Sequence, residues 1–201
     1  MPLIDHFNLI APHYDRVIQV EMTDALGALL DLPLEGRLLD AGGGTGRIAQ
    51  AFVGRVEQII VADASLGMLH VAAAKPNLIP ACAWIEALPF PDACFDRILM
   101  VDALHHLADQ KRSAAELWRV LRPGGRVVIQ EPDVRRWQVK LLALAEKAAL
   151  MRSHFLAPQR IAALFDHPDA HVHVVVQDLL AWVVVEKHVF YSRHSTSNGT
   201  T

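Results

Sequence analysis

Cysteine is scarce: Cys82 and Cys94 are the two present in 201 residues, and they form no C-x-x-C pair. Neither a disulfide framework nor a zinc site is suggested, and reduced thiols in a cytoplasmic protein are the expectation. An excess of one charge is also missing. With 19 basic and 22 acidic residues the net charge is −3, so no whole-chain field favours nucleic acid. Eleven histidines change that balance only in mild acid. The apolar stretches are too short and too interrupted to span a bilayer. The N-terminus lacks a basic region followed by an apolar run, so no signal peptide is expected. No internal repeat is visible. A soluble chain of one domain, with ample apolar residues for its core, is the reading that survives.

What the chain does have is a concentration of glycine. Residues 37–41 read as a short strand, Gly42, Gly43, Gly44 and Gly46 follow, and a helical pattern begins near Arg47. Glycine tolerates positive φ and has no Cβ, so such a turn bends sharply and lets a ligand lie against bare backbone. A helix starting there would aim its free N–H groups and positive dipole end at the turn. A strand–turn–helix unit of this kind is a nucleotide-type cofactor site at the carboxyl edge of a parallel sheet. Gly44-Thr45-Gly46-Arg47-Ile48-Ala49 fits a loose dinucleotide fingerprint. The spacing acid-x-G-x-G-x-G, met by Asp40, Gly42, Gly44 and Gly46, fits better.

A second strand over residues 56–62 ends at Asp63, nineteen positions after Gly44. An acid at about that distance is placed to accept hydrogen bonds from ribose hydroxyls. Further expected elements are a helix from Ala64 to about Lys75, a strand over 81–86, a strand over 95–101 and an amphipathic helix over 109–121. A fifth strand over 126–131, an apolar helix over 137–155 and a short helix over 158–165 follow. Strands at 171–177 and 180–187, joined by a turn at Gln177-Asp178, form an antiparallel hairpin. His171 and His173 share one face of that hairpin, as metal ligands do, but no third ligand is evident and no metal is expected. The fold class is α/β: a three-layer Rossmann-like, seven-stranded, mostly parallel sheet with an antiparallel C-terminal hairpin.

Four motifs stand in order: HFNLIAPHYDR at 6–16, DAGGGTG at 40–46, EALPFPDACFD at 86–96 with ALHHLAD at 103–109, and RVLRPGG at 119–125. Together they resemble the class I S-adenosylmethionine (SAM) methyltransferases. The likeness is to the methyltransferase type 11 branch, best known from the ubiquinone/menaquinone biosynthesis C-methyltransferases, and it covers about residues 6–131. That resemblance implies SAM as cofactor, an in-line methyl transfer, and a small-molecule acceptor, apolar in character, with no nucleic acid involved. It implies cofactor contacts from Asp40, Ala41, Gly42, Gly44, Asp63, Ala64, Ile85, Glu86 and Asp102, with Tyr14 on a lid. His105 and His106, beyond the fourth strand, are candidates for an acid/base or acceptor-orienting role. One domain over 1–190 is expected, comprising an N-terminal helical lid (1–35) and a helical acceptor-side segment (133–168), and the tail over 191–201, rich in Ser, Thr and Asn, is expected to be disordered.

One position departs from the family. Where its members usually carry an acid for the adenine amino group, this chain has Trp84, which can stack on a base but cannot accept that hydrogen bond. Two other readings stay open at this point. One is a non-catalytic SAM-binding protein. The other is an NAD(P)-dependent oxidoreductase using the same turn, though no Tyr-x-x-x-Lys pair is recognisable. Oligomeric state lies beyond the sequence.

Overall fold

The computed structural model describes residues 20–148 and 153–189. The strands are β1 (Leu34–Ala41), β2 (Val56–Asp63), β3 (Leu78–Cys82), β4 (Phe95–Val101), β5 (Leu121–Pro132), β6 (Ala170–Gln177) and β7 (Leu180–Lys187). The helices are α1 (Val20–Leu29), α2 (Leu66–Ala73), α3 (Gln110–Val120), α4 (Trp137–Ala148) and α5 (Pro158–Ala162). One sheet contains all seven strands in the order β3-β2-β1-β4-β5-β7-β6. The first five are parallel, and β7 runs antiparallel to both β5 and β6.

Alternation along the inner strands explains the three layers. Leu39, Ile98, Met100, Val127 and Ile129 face one side, packed with Leu117 of α3 and Ile161 of α5. Leu38, Leu99 and Val128 face the other, packed with Leu26 of α1 and Leu69 of α2. Successive side chains of a strand point to opposite faces, so a strand covered on both sides must be apolar throughout. Each fully buried leucine or isoleucine contributes about 1.5–3 kcal/mol.

The end of α1 is fastened to the amino edge of the sheet. Buried Arg97 donates to Leu30 O at 2.5 Å, and Arg126 donates to Leu29 O at 2.9 Å. Two carbonyls that the helix itself leaves unpaired are thereby satisfied. The described part of the expected 1–35 lid is therefore a helix covering the sheet. Residues 1–19, with Tyr14, lie outside the described residues, as does the tail from 190 onward.

Several boundaries differ from the sequence reading. The third strand is Leu78–Cys82, not 81–86, and Pro80 sits within it. Proline is tolerated there because β3 is an edge strand and needs no N–H on its outer side. The helix expected from Arg47 is a run of turns ending in a single 3-10 turn, Ala49–Phe52. Val56 follows Gly46 by only ten positions, too few for a longer helix and the return to β2. The fifth strand begins at Leu121 and takes in the LRPGG segment. The apolar helix ends at Ala148 among the described residues, and residues 153–157 are not helical. The hairpin turn is Asp178-Leu179, one residue later than expected, with Asp178 at φ 54°.

Candidate active site

The carboxyl ends of β1, β2, β4 and β5 lie side by side, and the candidate residues gather there. Asp40 sits opposite Val61 of β2 and Leu99 of β4, where the chain order reverses and α/β crevices open. Beyond it, Gly42 and Gly43 both donate to Ala62 O, at 2.8 and 3.2 Å. These bonds strap the turn to the end of β2.

The four glycines do different work. A Cβ on Gly42 would come within 2.7 Å of the Ala103 methyl, one on Gly43 within 2.4 Å of the Asp40 carboxylate, and one on Gly46 within 2.5 Å of Leu78. Those three make room for the protein itself. Gly44, at φ 56°, has nothing nearer than 3.8 Å. Of the four it alone would meet only ordinary contacts, Met68 Sδ at 3.8 Å and Asp63 Oδ2 at 4.0 Å.

Asp63 closes over this turn. Its Oδ2 accepts the Gly44 N–H at 2.9 Å and its Oδ1 accepts the Ser65 N–H at 2.8 Å. A carboxylate has about four acceptor sites, and these two bonds use one on each oxygen. Ser65 in turn caps α2, its hydroxyl accepting from Met68 N, and Ala64 forms the link between them. Asp40 is buried, and its Oδ2 finds no hydrogen-bond partner among the described residues. Burial first, and the neighbouring Asp63 charge second, raise its pKa to about 7. A cation brought beside it would favour the ionised form and lower that pKa.

Trp84 flanks the 3-10 turn Ile85–Ala87 and is 62% exposed. Ile85 turns its side chain into the core, leaving only backbone for a ligand. Glu86 points elsewhere: its Oε1 accepts from Ala108 N and Asp109 N at 3.0 and 3.4 Å, fixing the approach to α3. Asp102 ends β4 at φ 51°, held by its N–H to Gln130 O at 3.0 Å.

His105 and His106 occupy a 3-10 turn beyond β4. His105 is buried with Nδ1 2.5 Å from Glu131 Oε2, and its ring stacks on Phe155 with centroids 4.2 Å apart. The second Glu131 oxygen accepts Leu104 N–H at 2.8 Å. His106 lies 3.4 Å from Ser153 Oγ, and burial lowers its pKa to about 4, so its imidazole is neutral at physiological pH. Glu131 and Phe155 were missed in the sequence. An acid at the carboxyl end of β5 was the available signal. Arg135 is paired with buried Asp133 at 2.8 Å.

At the opposite margin of the sheet, Glu186 and His188 join His171, their donor atoms all within 4.8 Å of one another. His173, paired with His171 in the sequence reading, is not part of this cluster, and His188 lies just past β7.

Comparison with known proteins identifies the family. Residues 39–129 match the family model described as a methyltransferase domain. The chain is 33% identical over 151 residues to the demethylmenaquinone methyltransferase of Streptomyces griseus, covering 75% of this chain and 64% of that protein. It therefore spans a little under two thirds of that relative's length. It is 31% identical over 176 residues to the demethylmenaquinone methyltransferase of Streptomyces avermitilis, covering 87% of this chain and 72% of the other. In fold it resembles a SAM-dependent methyltransferase structure from Thermotoga maritima, with TM-score 0.74 at 20% identity, covering 90% and 98% of the two chains. The open glycine, the two acids around it and these likenesses lead to one assignment: this chain belongs to the class I SAM-dependent methyltransferases.

Proposed function

We propose that the chain transfers a methyl group from SAM to a small, apolar acceptor of quinone type. The observation that carries this reading is the cradle made by Gly44, Asp63 and Asp40. The Cβ-free Gly44 sits against the Asp63 carboxylate, and the buried Asp40 beside them keeps one oxygen without a hydrogen-bond partner among the described residues. The cofactor's parts match these groups: ribose hydroxyls for Asp63, the methionine ammonium for Asp40, and the adenine face for Trp84. When bound, the cofactor supplies an electrophilic methyl on a sulfonium, so little covalent chemistry is left to the protein.

The remaining work is to align the acceptor and exclude water, an entropic contribution of several kcal/mol. A ring carbon or hydroxyl that accepts methyl must also lose a proton. His105, held by buried Glu131, is the base assigned to that step. The quinone class is supported by the names of the two Streptomyces relatives. It is further supported by Trp137, Leu141 and Leu144, exposed along one side of α4, which follows β5 from the site edge.

Calorimetric titration with SAM, S-adenosylhomocysteine and NAD tests the cofactor. Labelled-methyl transfer to short-chain demethylated quinols tests the acceptor. Saturable SAM binding with label in the quinol is expected. Stabilisation by NAD alone would refute the cofactor assignment, and SAM binding without label in any quinol would refute the acceptor.

A further inference from the structure

We propose that His171, Glu186 and His188 bind a divalent transition-metal ion of the zinc class, at the hairpin margin of the sheet. The strand register builds this constellation. His171 lies directly opposite Glu186 in the β6–β7 ladder. His188 lies two positions beyond Glu186, which brings it back to the same side. Their donor atoms all fall within 4.8 Å of one another, and His171 Nδ1 is 4.0 Å from Glu186 Oε2. With metal–donor distances of about 2.0–2.1 Å, tetrahedral ligands stand roughly 3.3 Å apart. The trio needs a contraction of about 1 Å, within the reach of side-chain rotation for histidines at the surface.

Two features outside the trio hold it ready. Arg126 Nη2 grips the other Glu186 oxygen at 2.5 Å, orienting the carboxylate so that Oε2 is the one turned to His171. Partners of this kind fix ligands in metal sites generally. The His188 N–H donates to Asp169 O at 2.8 Å, fixing the chain just past β7. A hollow of about 300 Å³, lined by Asp169, Ala170, His171 and His188 among others, leaves room for a water as fourth ligand. Two imidazoles and a single oxygen favour zinc, nickel or copper over calcium or magnesium, which require many oxygens. The ion would clip the last residues of β7 to the start of β6. Its role is therefore structural, and independent of the methyl-transfer reading.

The test is equilibrium dialysis and calorimetry of the full chain, without a histidine tag, against zinc, with cobalt as the spectroscopic probe. The native chain is expected to bind a single ion and to give the visible bands of tetrahedral cobalt. His171→Ala and His188→Ala should each weaken binding by more than about tenfold. His173→Ala, on the same face but outside the trio, should not change it. Circular dichroism establishes that each variant is folded. Unchanged binding in both His171→Ala and His188→Ala, or no binding by the native chain, would overturn the proposal.

Discussion

The Gly44 amide donates to Asp63 Oδ2 at 2.9 Å, so the glycine turn and the second strand's terminal acid form one unit. Substituting the acid should therefore loosen the turn as well as remove a ligand. Asp63→Ala is expected to weaken SAM binding about 10–100-fold, since charge-assisted hydrogen bonds are lost. It should also lower stability by about 1–3 kcal/mol, because two backbone donors lose their acceptor. Calorimetry and denaturant unfolding measure the two effects separately.

The glycines can be told apart by single methyl groups. Gly44→Ala meets only ordinary contacts and adds left-handed strain of about 1–2 kcal/mol. It should fold and yet lose most cofactor affinity. Gly46→Ala drives a methyl to 2.5 Å from Leu78 in the core, and should lower the melting temperature more than Gly44→Ala. Equal melting temperatures for the two variants would contradict this division.

Asp40 sets a pH dependence with a definite sign. Its pKa is about 7 in the folded chain against 3.8 ordinarily, so the unfolded state releases this proton first. Its contribution to stability is neutral below about pH 4, falls as pH rises, and levels off above about pH 7. Asp40→Asn should flatten that decline in thermal unfolding scans. The cofactor's ammonium favours the ionised form, so SAM binding near neutral pH should release a proton. Calorimetry in buffers of differing ionisation enthalpy detects it.

Trp84 is 62% exposed, so replacing it should hardly change stability. Trp84→Ala is expected to weaken SAM binding about tenfold, since stacking a base on an aromatic ring contributes about 1–3 kcal/mol. Trp84→Asp, which reinstates the family's usual acid, should recover the loss through the adenine amino group. Affinity indifferent to both changes would remove Trp84 from the site.

Glu131→Gln keeps an acceptor for Leu104 N–H but removes the charge beside His105. If the pair takes up a proton during transfer, kcat should fall while SAM affinity holds, and the pH–rate profile should shift. A change confined to melting temperature would make the pair a structural one.

Local pattern carried much of this architecture. The fourth strand, Phe95–Val101, matches its expected bounds, its apolar run Ile98–Val101 following Phe95, Asp96 and Arg97. The helix expected over 109–121 is Gln110–Val120, with Asp109 as its cap. Where the reading failed, the cause was tertiary. Pro80 looks like a strand breaker until β3 is known to be an edge. Glu131 gains its meaning from His105, 26 positions away, and Phe155 from the same ring. The fourfold glycine signal pointed to a ligand turn, but which glycine faces the ligand depends on Ala103 and Leu78, contributed by other segments.

The two flanks of the sheet are unequal in what they offer another polypeptide. On the β3 flank the imino nitrogen of Pro80 has no hydrogen to give, so an incoming strand would find its ladder interrupted there. On the β6 flank, Ala170–Gln177 contains no such interruption. Any strand-to-strand association of this molecule is thus directed to the hairpin side, well away from the glycine turn.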